Sequence, residues 1–166
     1  MTLLLALEFA AALGCGLVAG VFFAFSTFVM NALARLPAQQ GIAGMQSINI
    51  AAINPWFMTA LFGTAAACVV LVVASLLAWR EPGAACLLAG GTLYLVGAVL
   101  VTMLFNVPLN RALARVEESR ADNAGRWAGY VARWTAWNHV RTATSLAATA
   151  LITLALYLQA RGPTGV

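Results

Sequence analysis

WFMTALFGTAAACVVLVVASLLA, residues 56–78, runs from end to end without a charged side chain. At about 1.5 Å per helical residue, such a run crosses roughly 30 Å of hydrocarbon. Three further stretches do the same, at approximately 3–30, 84–105 and 141–158. A chain inside lipid must satisfy its own backbone N–H and C=O groups, which leaves helices or a closed barrel. The period-two alternation of barrel strands is missing, so the spans read as helices. The expected fold is an all-α, four-helix transmembrane bundle, a single integral membrane domain over residues 1–166. Short interfacial helices are expected in loops 1–2 and 3–4.

The composition agrees. With 63% apolar and 8% charged residues, the chain is neither an ordinary soluble domain nor a disordered one. The first span lacks a basic start and continues past signal-peptide length, so it is expected to remain as a span. All nine cationic residues are arginines that flank the spans. They form no basic stripe, so the lipid bilayer, and not nucleic acid, is the expected partner. Loop 1–2 carries Arg35, and loop 3–4 carries Arg111, Arg115, Arg120, Arg126 and Arg133; Arg80 and Arg161 lie on the opposite side. The positive-inside rule then puts both of these loops in the cytoplasm and both termini outside, in what reads as a bacterial inner membrane. Cys15, Cys68 and Cys86 fit no metal spacing and read as small buried apolar side chains.

Local patterns mark the ends of the spans. Gly16 and Gly20 form a small-xxx-small pattern suited to helix packing. Phe22, Phe23, Phe25 and Phe28 follow it toward loop 1–2. Glu8 is close enough to the start of its helix to reach the interface, a buried polar role being the other reading. Between Gly41 and Asn54, the residues Ile42, Met45, Ile48 and Ala52 share one face, as in a helix lying at the membrane surface. Asn54-Pro55 reads as an N-cap followed by proline at the first helical position, with Trp56 as interfacial anchor. The run from Trp79 to Gly83 is a tight turn between spans two and three. Span three leaves the membrane through Asn106-Val107-Pro108-Leu109-Asn110, where a continuing helix would put both asparagines on one face.

From Ala124 the chain reads as helix again. At about 100° per residue, Trp127, Tyr130, Trp134, Asn138, Arg141 and Ser145 share one narrow stripe, with Trp137 at its border. His139 projects roughly 100° away, beside Thr135 and Thr142. Threading four spans brings Asn49, Asn54, Asn106, Asn110, Tyr130, Asn138, His139 and Arg141 to one membrane face. Ionisable groups at such a boundary are costly to keep, which marks a functional site. There is no nucleophile elbow, no carboxylate dyad and no phosphate-binding glycine loop. A lone histidine suits a general base, with amides and a guanidinium to stabilise an oxyanion. It would also suit a ligand to haem iron, whereas another metal would need a symmetry mate, Glu8, or backbone and amide oxygens beside it.

These motifs resemble the anthrone oxygenase family of small integral membrane proteins. The likeness rests on Gly20-Val21-Phe22-Phe23-Ala24-Phe25-Ser26, Met45-Gln46-Ser47-Ile48-Asn49 and Asn54-Pro55. It continues in Phe105-Asn106-Val107-Pro108-Leu109-Asn110 and in Trp134-Thr135-Ala136-Trp137-Asn138-His139-Val140-Arg141. The resemblance implies a four-helix membrane bundle that oxidises flat phenolic or polyketide-like molecules with molecular oxygen. No cofactor is expected, haem or a metal at His139 being the alternative. Carried over by motif, Asn106, Asn110, Asn138, His139 and Arg141 are the expected site residues. A lone histidine among amides makes His139 the expected base, with Asn138, Arg141 and Asn106 stabilising the enolate. Asn110, Asn49, Trp134, Trp137, Tyr130 and Phe25 would hold an apolar aromatic substrate. The alternative is a non-enzymatic membrane subunit or small-molecule-binding protein, in a homo-oligomer or with a membrane partner. On the cofactor-free reading the purified protein is expected to be colourless and free of metal. A Soret band or bound metal that disappears in His139→Ala would instead make this histidine a ligand.

Overall fold

The computed structural model describes residues 3–116 and 122–161. Four helices are long and apolar enough to cross a membrane: α1 (Leu3–Ala34), α3 (Pro55–Leu77), α4 (Ala84–Leu113) and α5 (Asn123–Arg161). A shorter α2 (Ala38–Ala51) joins the first two. No strand occurs among the described residues. The protein is an integral membrane bundle of helices. Leu13, Leu17, Val69, Val73, Leu76 and Leu146 stand exposed on its flanks, where lipid tails are the natural contact.

The apolar interior is built from small side chains. Ala11, Cys15, Val18, Cys68, Ala98, Ala148 and Ala155 are buried there with Leu71, Tyr94 and Ile152. Small residues let helix backbones approach closely, which is the main source of packing contact between helices in lipid. The closest approaches fall at glycines other than the pair singled out by pattern. A Cβ on Gly97 would collide with Thr144, and one on Gly14 with Thr64. A Cβ on Gly91 would sit 3.1 Å from the Cys68 carbonyl. By contrast, Gly16 has ordinary room at 3.6 Å from Thr149, and Gly20 faces nothing within 4 Å. The small-xxx-small pattern is therefore not the tightest crossing.

Three of the long helices contain wide π-helical turns, at Phe25–Val29 in α1, Thr59–Gly63 in α3, and Tyr94–Leu100 and Thr102–Asn106 in α4. Such turns leave carbonyls available to side chains and recur at functional sites. The Tyr94 hydroxyl donates to the Leu61 carbonyl in the α3 turn, at 3.1 Å. The turn ending at Asn106 lies just before Pro108, and α4 continues past the proline to Leu113. Span three is thus longer than 84–105, and the exit is a helix with a relieved proline.

Several helix ends match their sequence signals. Asn54 caps α3, its Oδ1 accepting from the Phe57 N–H at 3.0 Å. Gly83 takes a left-handed φ of 84° in the turn before α4, a conformation that favours glycine. Other expectations are corrected. α2 does not rest its apolar face on lipid: Ile42 and Met45 are buried against Trp127, Tyr130 and Trp134 of α5. The helix expected in loop 3–4 is continuous with span four, giving one helix of 39 residues. Arg120 lies outside the described residues. Of the two readings of Glu8 the buried polar one holds, its Oε1 accepting from Gln159 Nε2 at 3.2 Å.

Gly97→Val should destabilise the bundle by about 1–3 kcal/mol through overpacking against Thr144, whereas Gly20→Ala should be neutral within about 0.5 kcal/mol. Denaturation in detergent measures both.

Candidate functional site

α5 carries the centre of the site. Trp134, Asn138, Arg141 and Ser145 recur at spacings of four, three and four, so they face one way, into the junction with α1 and α4. All four are buried.

Asn138 is the hub. Its Nδ2 donates to the Phe22 carbonyl at 2.7 Å and to Ser26 Oγ at 2.7 Å, both on α1. Its Oδ1 accepts from Arg141 Nη2 at 2.7 Å. Thr142 Oγ1 donates to the Asn138 carbonyl at 2.9 Å and lies 3.0 Å from Ser26 Oγ. A hydroxyl has one proton, so Ser26 is the donor to Thr142 and a small ring of hydrogen bonds closes between α1 and α5.

Arg141 is only 5% exposed. Its Nη1 donates to Thr102 Oγ1 of α4 at 3.1 Å. The guanidinium carbon lies 4.2 Å from the Phe22 ring centre and 5.0 Å from that of Trp134, within cation–π range. Among the described residues no carboxylate pairs with it, and its Nε is buried without a partner.

The asparagines of α4 complete the wall. Asn106 Nδ2 donates to the Trp134 carbonyl at 3.2 Å, while its buried Oδ1 has no partner. One turn on, Asn110 Oδ1 accepts from Trp134 Nε1 at 2.8 Å and from the Tyr130 hydroxyl at 3.0 Å. Asn49 of α2 faces that same hydroxyl, and Phe25 tilts against Trp134 with ring centres 5.5 Å apart.

Two residues of the sequence reading lie elsewhere. Trp137 stacks on Phe105 at 3.6 Å, in a shallow groove on the outer side of the α4–α5 seam. His139 is exposed on the outer face of α5 and makes no hydrogen bond with the described residues. Eight of the ten predicted residues are therefore linked through one cluster, and Trp137 and His139 stand outside it. Sequence reasoning missed Thr102 and gave Ser26 no role. The series Thr102, Asn106, Asn110, with its spacing of four, was the available signal. No group of three or more His, Cys, Asp or Glu side chains able to hold a metal occurs among the described residues.

A family model described as anthrone oxygenase matches residues 55–151, more than half of the chain, and takes in Asn106, Asn110, Trp134, Asn138, His139 and Arg141. The chain belongs to the anthrone oxygenase family. No curated protein and no solved structure matches it. The family match begins after α1, so Phe22 and Ser26 join the cluster from outside the matched segment.

The arrangement offers one fixed cation, oriented amides and aromatic walls, a combination suited to holding an oxyanion. Asn138→Ala removes three hydrogen bonds and leaves the Phe22 carbonyl and Arg141 short of partners. We expect a loss of about 1–3 kcal/mol in ligand-free detergent melts, with Ser26→Ala costing less than half as much.

Proposed function

We propose that this protein is a membrane-embedded oxygenase that oxidises a flat phenolic or polyketide-like molecule with molecular oxygen. The observation that carries the reading is Arg141, a guanidinium enclosed by Phe22 and Trp134 with no carboxylate among the described residues. An enolate oxygen placed there would supply the missing negative charge. The unused Arg141 Nε offers it a donor, and Asn138 and Thr102 keep the cation in place.

The proposed reaction converts a CH2 flanked by aromatic rings to a ketone. A base removes one C–H proton, and the electron pair delocalises onto the substrate oxygen as an enolate. The carbanion carbon then bonds to O2, and the resulting peroxide takes up a proton. Loss of water from the hydroperoxide breaks the O–O bond and the second C–H bond. The balance is CH2 + O2 → C=O + H2O, and the reaction is written without a bound cofactor. We assign the base to His139, exposed on the outer face of α5. Asn106 and Asn110 would orient the ring oxygens, and Trp134, Tyr130 and Phe25 the ring faces. We place the protein in a bacterial inner membrane with loops 1–2 and 3–4 cytoplasmic, on the loop-arginine count.

A second reading rests on Asn138, whose amide atoms are all engaged in bonds between helices and within α5. On that reading the cluster is a helix lock in a non-enzymatic membrane subunit, and a stoichiometric partner should co-purify.

Oxygen uptake with an anthrone in detergent or nanodiscs is the test. Arg141→Met should lower the rate by about 10²–10³ if the guanidinium holds the oxyanion. His139→Ala should lose activity near neutral pH and regain it as the pH rises and the substrate ionises unaided. Unchanged uptake by His139→Ala at neutral pH would remove the base assignment. Absence of uptake by the wild type with any anthrone would favour the helix lock.

A further inference from the structure

On the outside of the α4–α5 seam, Leu104, Phe105, Pro108, Leu109, Arg133 and Trp137 line an open groove of about 320 Å³. A groove this open would hold a flat ring by one face without enclosing it. Its wall includes the stacked pair Phe105–Trp137, whose rings lie 3.6 Å apart and within 10° of parallel. The flat ring of Pro108 and the two leucines complete an apolar bed.

One member of the lining is charged. Arg133 Nε donates to the Gly129 carbonyl of its own helix at 3.1 Å, which ties the guanidinium down by one edge. Its two terminal nitrogens have no hydrogen bond or ion pair among the described residues. With Nε spent, the remaining donors form an end-on fork, whose spacing matches the two oxygens of a carboxylate. A neutral ring would leave that fork unused. An acyl chain would make apolar contact but no ring stacking with the aromatic wall.

We propose that this groove is a binding subsite for planar aromatic carboxylates, the rings lying against Trp137 and the carboxylate paired with Arg133. Phe105 and Trp137 each directly adjoin a residue of the buried cluster in sequence, Asn106 and Asn138, and the rotation of about 100° per residue turns them to the outer side. The ligand's role as substrate rests on the oxygenase reading; its binding does not.

The test uses full-length protein in nanodiscs of zwitterionic lipid, with tryptophan fluorescence titrated by anthraquinone-2-carboxylate and by its neutral carboxamide. The carboxylate should bind at least tenfold more tightly. Arg133→Gln, at an exposed position, should abolish that difference, and Trp137→Phe should reduce the quenching amplitude. Equal affinity for the two probes, or a preference that survives Arg133→Gln, would overturn the proposal. So would an Arg133-dependent loss of carboxylate binding in nanodiscs rich in phosphatidylglycerol, since the groove would then be a lipid headgroup site. Binding as expected, with no oxygen uptake from any anthrone in a parallel assay, would refute the oxygenase reading and leave the subsite standing.

Discussion

A guanidinium enclosed where three helices meet, with no carboxylate beside it among the described residues, sets the terms for the middle of this bundle. Arginine remains charged in proteins, and a charge in an apolar interior is stable only if its field is met by dipoles or polarisable groups. At Arg141 the work is divided. Asn138 and Thr102 accept from its two terminal nitrogens, and Phe22 and Trp134 present ring faces from α1 and from α5 itself. Each contribution is modest in lipid. Together they fix one cation at a chosen depth and orientation.

Holding that cation constrains the backbones around it. Asn138 also bonds the Phe22 carbonyl, and α1 widens into a π-helical turn at Phe25–Val29, beginning three residues later. Thr102 opens the corresponding turn in α4, and Asn106 closes it. Two of the wide turns, Phe25–Val29 and Thr102–Asn106, therefore lie where α5 reaches across to its neighbours. The same local irregularity admits Pro108 without ending α4, so that Asn110 can continue the polar row to Tyr130 and Trp134. α2 then closes this end of the bundle by packing Ile42 and Met45 on the aromatic rings.

The four spans were legible because apolar runs of membrane length have few other stable fates. Much of the cluster was legible too, since the row from Tyr130 to Ser145 repeats at helical spacing. The wide turns were not: they leave no periodic trace, being local compromises between a helix and its neighbours. The face of α2 was read correctly but its contact was not, because an apolar stripe fits lipid and protein equally well. His139 drew attention through its chemistry, although the rotation of about 100° per residue already placed it off the stripe. Reactivity and position gave different answers there, and the buried face follows position.

That rotation bears on how the proposed reaction could run. Trp137, Asn138 and His139 are consecutive, yet one lines an outer groove, one is sealed in the interior, and one stands exposed. A rigid substrate cannot touch all three surroundings at once. If the chain oxidises a planar molecule as proposed, ring stacking in the exposed groove comes first. Proton removal then needs the substrate oxygen at Arg141 while its C–H still faces His139, because the enolate forms in that step. The segments best placed to admit a ring between α5 and its neighbours are the π-helical turns at Phe25–Val29 and Thr102–Asn106, where the regular i→i−4 bonding of α1 and α4 is already interrupted. The buried cation and the irregular helices would then be parts of one design, the first attracting the anion and the second giving it a way in.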